Sequence, residues 1–283
     1  MIDYWCNAFT PDRAASWRAV IEAEGLALRT RDGSDDDFAE PDAMVDRMDR
    51  LGVRTLVLPV CELDPDAPLT DFAHYAVRPG EIEQLHQHHP GRFVGMYSVD
   101  PTDLETDLDA ARSALGSPWC VALHTHTHSW DRPFDHPDYA AYYLLCAEHG
   151  VPFVMQAGAS GGNFAHQAGH PGAIAAPAQH FASVDFVLSH TGAPWVAETI
   201  EMASTHPNVQ VGTATHPPRR WPDELVEFIR GPGRTKTLFG TGFPLTGHTR
   251  SLAQLAELDL PAAVAEDLLI DNARRIFGRI PGG

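Results

Sequence analysis

Short apolar runs alternate with longer amphipathic stretches along most of this chain. The apolar runs are rich in β-branched residues and are bounded by Gly, Pro or polar residues, which is the pattern of strands buried on both faces of a sheet. We predict eight such strands: Met1–Trp5, Val53–Val60, Phe93–Val99, Trp119–His124, Val151–Gln156, Val184–His190, Val209–Thr213 and Thr237–Gly240.

The amphipathic stretches between these strands predict helices. In Pro41–Leu51 a proline opens the helix and Gly52 follows its last residue, as is usual at the two ends of a helix. Asp103–Leu115 and Pro137–His149 place apolar residues three and four apart, and Gly150 closes the second of them. Further helices are predicted at Val196–Ser204, Pro222–Ile229 and Pro261–Phe277.

Regular alternation of strands and helices predicts a parallel sheet covered by helices. Eight such units favour an α/β fold of the (β/α)8 or TIM-barrel type, as a single domain over residues 1–283. A doubly wound open sheet is the alternative, but no GxGxxG sequence follows any strand. In a barrel the functional residues lie at the carboxyl ends of the strands.

Two long stretches, Ala8–Glu40 and Ala157–Pro177, have no clear pattern, and each follows a predicted strand. In a barrel both would lie over the active-site end. The first contains the acidic sequence DGSDDDFAE, which we interpret as a solvated loop.

The amino-acid composition limits which classes of molecule the protein is expected to bind. The chain has 20 Lys+Arg against 38 Asp+Glu, a formal net charge of −18, and 43% of its residues are hydrophobic. This excess of negative charge repels phosphate backbones and anionic lipids, so we expect a small-molecule partner and neither nucleic acid nor a membrane. No leader sequence opens the chain and no apolar run reaches ~18 residues, which favours a cytoplasmic protein.

The cysteines are far apart and form no CxxC pair, so neither a disulfide framework nor a zinc knuckle is expected. Cys61, at the end of the second strand, is a candidate nucleophile, although no cation beside it would lower the pKa of its thiol. Asp100, after the third strand, is a candidate acid or base, and Asp before Pro is also a common turn residue. The cysteines are Cys6, Cys61, Cys120 and Cys146.

Several segments share their order with one known family. They are MIDYWCN at the start, VALHTHTHSW and DHPDYAAYYLLCAEHGVPFVMQAG in the middle, VDFVLSHTG and RTKTLFGTGFPLT later, and DNARRIFG near the end. They resemble strands 1, 4 to 6 and 8 and the final helix of the amidohydrolase-related family of metal-dependent barrel hydrolases and decarboxylases. The resemblance implies a small-molecule hydrolase, lactonase or carboxy-lyase, and it favours a homodimer.

The sequence departs from this family at its metal-binding positions. Of the usual ligands only His190, at the end of the sixth strand, remains. Trp has no metal-binding atom, Gly has no side chain, and amides are weak ligands for transition metals. The replaced positions are Trp5 and Asn7 in the first strand, Gln156 in the fifth and Gly242 after the eighth, and Ala122 stands where the family often has lysine.

The number and position of the lysines argue against two further mechanisms. Lys236 is the only lysine in the sequence, and it precedes the eighth strand, at the end of a barrel opposite to the active site. We therefore expect neither a carbamylated lysine nor a Schiff base, and we interpret Lys236 as a solvated surface charge.

Histidines are the remaining candidates for catalytic or metal-binding residues. His124 and His126 are two apart on the fourth strand, so both side chains point to the same side as Ala122. Together with His190 they can supply three imidazoles to a rebuilt zinc site, with His216 and His248 as further candidates. We favour instead a metal-free enzyme in which His190, His126 and His124 act as acids or bases.

The remaining residues at the strand ends are candidate substrate contacts. Polar groups there can donate hydrogen bonds to a substrate oxygen, and a tryptophan can form a flat apolar wall. These candidates are Trp5, Asn7, Tyr97, Gln156, His216 and Phe243.

Two classes of function stay open. The first is a divergent enzyme acting on a small organic molecule, by hydrolysis or by lyase chemistry such as decarboxylation. The second is a catalytically inactive barrel that binds a ligand or a partner protein. A pocket where His126 and His190 approach a common point favours catalysis, whereas a pocket filled by Trp5 favours the second class.

Overall fold

The computed structural model describes residues 1–23, 28, 30, 33–64, 76–160, 164 and 166–280. Within them eight parallel strands follow one another around a curled sheet in the order of the sequence. This confirms the predicted TIM-barrel fold. The strands are β1 (Ile2–Asp3), β2 (Thr55–Pro59), β3 (Phe93–Ser98), β4 (Cys120–Thr125), β5 (Phe153–Gln156), β6 (Phe186–Ser189), β7 (Val209–Gly212) and β8 (Thr237–Leu238).

Backbone hydrogen bonds close the sheet between its first and last strands. Tyr4 N donates to Phe239 O (3.2 Å), and Gly242 N donates to Trp5 O (2.9 Å). A parallel bridge between Cys6 and Phe243 follows one step further along. The residues just beyond β1 and β8 are therefore fixed side by side, at the carboxyl end of the barrel.

Helices of the described part of the chain cover the outside of the sheet. α2 has the predicted bounds, and Asp103 caps α4 by accepting a hydrogen bond from Thr106 N (3.4 Å). The helices are α1 (Ala14–Ala23), α2 (Pro41–Leu51), α3 (Pro79–His88), α4 (Leu104–Leu115), α5 (Ala140–His149), α6 (Ala175–His180), α7 (Val196–Thr205), α8 (Asp223–Arg230), α9 (His248–Ala256), α10 (Ala262–Glu266) and α11 (Asn272–Ile276), with a π-helical turn at Asp267–Asp271 between the last two.

Part of the first irregular stretch is helical, which corrects the expectation for Ala8–Glu40. Helix α1 buries Trp17 and Ile21, four residues apart on one face. Only these two side chains of the helix are buried, so its apolar stripe is too short to stand out in the sequence. The second stretch, Ala157–Pro177, also contains two short 3-10 helices and the start of α6.

Side chains fill the barrel interior, and Tyr4 lies near its centre. The Tyr4 hydroxyl is hydrogen-bonded to Ser189 Oγ (2.8 Å), and its ring stacks on Phe277 with centroids 6.4 Å apart. Gly240 makes room for this ring, since a Cβ there would lie 2.7 Å from Tyr4 Cε1. The interior is therefore a packed core in which chemistry is confined to the strand ends.

Residues 33–40, the described part of the acidic sequence DGSDDDFAE, dock against the end of the barrel, which corrects the interpretation of this part as a solvated loop. The Asp36 carboxylate accepts hydrogen bonds from the backbone of Thr249 (2.8 Å) and Arg250 (3.1 Å), in the first turn of α9. A carboxylate at this place satisfies unpaired helix N–H groups and favours the positive end of the helix dipole. Asp36 thereby fixes its segment to α9.

Replacing Asp36 by alanine is expected to destabilise the fold by about 1–2 kcal/mol, because two N–H groups of α9 lose their acceptor. The matched control is Asp35→Ala, which removes an exposed ion pair with Arg50 (2.8 Å) and is expected to cost less than about 0.5 kcal/mol. Urea denaturation of both variants measures the difference. Equal losses in the two variants would show that the Asp36 contact contributes nothing specific.

Candidate active site

The polar side chains at the carboxyl ends of the strands form two levels. Trp5, His124 and His126 are buried, with exposures of 3%, 0% and 6%. Above them lies a half-buried set, which we call the rim group: Asn7, Gln156, Ser160, His190 and His216.

Trp5 separates two of the histidines. Its ring lies edge-on to His124, with centroids 4.9 Å apart, and edge-on to His190 at 4.8 Å. Its indole Nε1 donates to Asn7 Oδ1 (3.1 Å), and Asn7 Nδ2 donates in turn to Phe243 O (2.7 Å). Asn7 therefore holds Trp5 in place, and its amide is occupied within the protein.

His124 presents an unprotonated nitrogen. Its Nδ1 lies 3.2 Å from Val60 O, and since a carbonyl only accepts, Nδ1 carries the proton. Its Nε2 is buried without a partner. Burial lowers the pKa of His124 to about 3, so the ring is neutral near pH 7.

His190 stands on a strained stretch of backbone. His190, Thr191 and Gly192 have successive φ angles of 61°, 58° and 71°, and non-glycine residues adopt this left-handed region at a cost. The Nδ1 of His190 is buried and unpartnered. Burial, with a smaller effect from His216, holds the pKa of His190 well below its usual value. Strain of this kind is concentrated at functional sites.

A second group links strands β4 and β5. The Nε2 of His126 is 3.4 Å from Ser160 Oγ, and Gln156 Nε2 donates to the same oxygen (3.3 Å). Burial, followed by the nearby His128, lowers the pKa of His126 well below its usual value. Ser160 carried no signal in the sequence, since an isolated serine in a Gly- and Ala-rich stretch has no recognisable pattern.

His216 and His128 complete the set of neutral imidazoles. His216 Nδ1 is 3.2 Å from Thr191 Oγ1, and burial lowers the pKa of the ring. His128 Nε2 donates to Gly158 O (2.7 Å), and burial lowers its pKa to about 4.

Two predicted contacts lie away from this group. The Tyr97 hydroxyl donates to Asp107 Oδ1 (2.7 Å) in helix α4, on the outer face of the sheet. Alternation along β3 explains this, because Met96 belongs to the interior cluster and its neighbour therefore faces outward. The ring of Phe243 stacks on His248 at 5.5 Å and contacts Phe38 at 5.6 Å, in the layer beneath the acidic segment.

Comparison with known proteins places the chain in a family. The sequence model described as "Amidohydrolase" matches residues 2–279. The chain belongs to the amidohydrolase family. No curated protein sequence matches it.

Solved structures of similar proteins share the amidohydrolase barrel. An uncharacterized TIM-barrel protein from Bordetella bronchiseptica is 16% identical, with a TM-score of 0.81 and 99% of each chain covered. The 2,6-dihydroxybenzoate decarboxylase from Rhizobium is 14% identical, with a TM-score of 0.69 and coverage of 98% of this chain and 99% of that one. A 5-carboxyvanillate decarboxylase from Novosphingobium aromaticivorans, whose structure contains manganese, is 14% identical over 98% of this chain and 95% of its own, with a TM-score of 0.68.

The side chains present here do not form the metal site that the resemblance to amidohydrolases implies. Trp5 stands between His124 and His190. Gly242, in place of the aspartate, has φ 64°, and a Cβ there would lie 2.6 Å from Thr215 N. Nor do His124, His126 and His190 bring ligand atoms together within 4.8 Å of one another, as a rebuilt zinc site over the described residues would require.

One other group of described residues, Asp3, Cys6 and His248, does bring ligand atoms within 4.8 Å of one another. The Asp3 carboxylate is already satisfied, because it accepts from Trp5 N (3.1 Å), from Thr241 N (3.0 Å) and Oγ1 (2.5 Å), and from His248 Nε2 (3.0 Å). Burial raises the pKa of the Cys6 thiol well above its usual value, which opposes the thiolate that a metal needs. This group is organised as a hydrogen-bonded carboxylate.

The structure also places Cys61, the candidate nucleophile, and Lys236, the lone lysine of the sequence. Burial raises the pKa of Cys61, and the nearby Glu62 adds to this effect, so its thiol stays protonated. Lys236 Nζ donates to three carbonyls, of His206 (2.8 Å), Pro207 (3.1 Å) and Val209 (3.1 Å), before and at the start of β7. It therefore lies at the end of the barrel opposite to the histidines, where it ties the backbone together and is half-buried rather than fully solvated.

A cavity of about 640 Å³ lies outside the barrel and is separate from the rim group. Its walls come from helices α2 and α3 and from the segment after β1, with Phe9 and Leu58 among its apolar lining residues. None of the described histidines at the strand ends lines it. No helix within the described ranges has the length and apolar character of a membrane span.

Acidification is expected to destabilise the protein through its buried histidines. A histidine whose pKa is lower in the folded state binds its proton more readily when unfolded, so stability is lost as the pH falls from about 6.5 towards about 3. For His124 the loss between pH 7 and pH 5 is about 2 kcal/mol.

Urea denaturation at both pH values measures this effect. The loss is expected to be smaller by about that amount in His124→Gln, and unchanged in His180→Gln, which alters an exposed histidine of α6. The same pH dependence in wild type and His124→Gln would contradict the assignment.

Proposed function

We propose that this chain is an enzyme that acts on a small organic acid at the rim group without a metal, with His190 as its general base. The observation that carries the proposal is the half-buried His190 of the rim group, whose Nδ1 has no hydrogen-bond partner among the described residues and whose lowered pKa keeps the ring neutral. Buried polar groups are normally paired, and a catalytic role is one of the reasons for an exception.

The lowered pKa values favour base catalysis over acid catalysis. Neutral imidazoles near pH 7 have a lone pair that can take a proton from water or from a carbon acid. A step that begins with proton donation would need an imidazolium, which burial and the neighbouring histidines disfavour. Attack of water on a lactone or ester, or abstraction of a proton, therefore fits better than a decarboxylation that begins by protonating a ring carbon.

The substrate class follows from the family and from the rim group. Amidohydrolase relatives such as the Rhizobium decarboxylase act on aromatic acids, as its name states. Gln156, Ser160 and His216 are half-buried and can contact a carboxylate or carbonyl oxygen. Trp5 supplies a flat apolar floor, His126 positions Ser160, and His124 lies too deep to reach the solvent.

Metal independence has a direct test. Protein purified without chelators is expected to contain far less than one equivalent of zinc, manganese or iron per chain, because the ligand positions are replaced and Trp5 occupies the space between the two histidines. Elemental analysis by mass spectrometry measures this. Stoichiometric metal that disappears in His124→Ala or His190→Ala would overturn this part of the proposal.

Loss of the His190 imidazole is expected to lower kcat/KM by roughly 10²- to 10⁴-fold, since it removes the general base. The assay is turnover of a panel of small lactones and hydroxybenzoates in the presence of EDTA. His180→Ala, at an exposed position on α6, is the control and should retain full activity. Full activity in His190→Ala would exclude its assigned role.

A second candidate function has its own supporting observation. Trp5 is only 3% exposed and fills the space between His124 and His190, which separates these two histidines as expected for an inactive barrel that binds a ligand. That function predicts binding of small acids with no turnover for any member of the panel, and binding that persists in His190→Ala.

A further inference from the structure

Ser160 lies just after β5, where it joins the buried His126 to the half-buried rim group. Its hydroxyl oxygen contacts the imidazole of His126 and the amide of Gln156, at 3.4 Å and 3.3 Å. The ring of Phe164 lies edge-on to His126, with centroids 5.0 Å apart. The polarity of these hydrogen bonds determines what Ser160 can do.

The tautomer of His126 is fixed by its other nitrogen. The backbone N–H of Ser129 is shared between two acceptors of His126, its carbonyl oxygen (3.1 Å) and its Nδ1 (3.2 Å), and a backbone amide can act only as a donor. Nδ1 is therefore the unprotonated nitrogen. In the neutral ring Nε2 carries the proton, and it points at Ser160 Oγ.

The hydroxyl of Ser160 consequently accepts twice. His126 Nε2–H supplies one hydrogen bond and the amide nitrogen of Gln156 supplies the other. A hydroxyl oxygen has two acceptor lone pairs and one proton to give. With both lone pairs engaged, only the O–H of Ser160 remains for a further partner, and the residue is half-buried at the rim.

We infer that Ser160 is a hydrogen-bond donor to an anionic oxygen of the ligand, either a carboxylate or an oxyanion that forms during reaction. This inference rests on the proposed function and adds its ligand-binding contact. Hydrogen bonds to charged oxygens are stronger than neutral ones, so a donor oriented in advance by two neighbours contributes both affinity and orientation.

The same geometry excludes Ser160 as a nucleophile, although a serine beside a histidine suggests one. A general base must present a lone pair to the hydroxyl. His126 presents its N–H instead, because Ser129 occupies the other nitrogen. Ser160 therefore keeps its proton until a ligand oxygen accepts a hydrogen bond from it.

The hydrogen-bond arrangement can be tested in the free protein. ¹⁵N NMR of the histidine rings is expected to show His126 protonated at Nε2 and unprotonated at Nδ1, and Ser160→Ala should shift the Nε2 signal while Nδ1 stays in place. An active-site fluorophosphonate is expected to leave Ser160 unlabelled. A protonated Nδ1, or a covalent adduct on Ser160, would overturn the inference whether or not the protein is an enzyme.

The ligand contact is tested by calorimetry with benzoate and 2,6-dihydroxybenzoate. Ser160→Ala is expected to weaken binding roughly 10- to 100-fold, as for loss of one hydrogen bond to a charged group. Ser160→Thr keeps a hydroxyl and should restore most of the affinity, and Ser204→Ala, on the exposed face of α7, is the matched control. Unchanged affinity in Ser160→Ala, or no binding of either acid to the wild type, would contradict the assigned ligand class.

These two experiments separate the inference from the proposed function. Both are made without turnover, so a catalytically inactive protein still gives the expected tautomer and the expected loss of affinity if Ser160 is the donor. Conversely, a protein in which His190→Ala abolishes activity but Ser160→Ala binds normally would retain the proposed function and lose the Ser160 contact.

Discussion

A buried carboxylate joins the first strand of the barrel to the residues that follow the last. Asp3 is completely inaccessible, and each of its oxygens accepts two hydrogen bonds. Three of the four donors belong to Thr241 and His248, beyond β8, and the fourth is the backbone N–H of Trp5. A carboxyl group is tolerated in a protein interior only when its oxygens are hydrogen-bonded in this way. Asp3 therefore both helps to close the barrel and fixes the course of the backbone at Trp5.

The hydrogen bonds of Asp3 also determine the arrangement around Trp5. With its backbone held by Asp3 and its indole by Asn7, Trp5 has little freedom, and its ring becomes the spacer between His124 and His190. Several neutral imidazoles then lie close together. Burial is the main reason that the pKa values of His124, His126 and His190 are low, and for His126 and His190 the neighbouring histidines lower them further.

The sequence predicted the elements whose buried residues recur at a regular spacing. It did not reveal residues whose role depends on one contact with a distant part of the chain. All eight strands and helix α2 followed from apolar runs and from the residues at their ends. Parity along β4 placed His124 inside the barrel, whereas Tyr97 was misplaced because β3 shows apolar residues on both faces. Ser160 and Asp36 gain their roles from partners far away in the chain, such as His126 and Thr249, and no local pattern marks such partners.

At Gly242 the backbone itself opposes a side chain at the position where the family resemblance implies an aspartate. The left-handed backbone of Gly242 and the close approach of Thr215 leave no space for a β-carbon. A single mutation to aspartate would therefore meet a steric barrier before it could restore a ligand, and the β7 loop would have to move first. An aspartate ligand could therefore be engineered at this position only together with changes in the loop that carries Thr215.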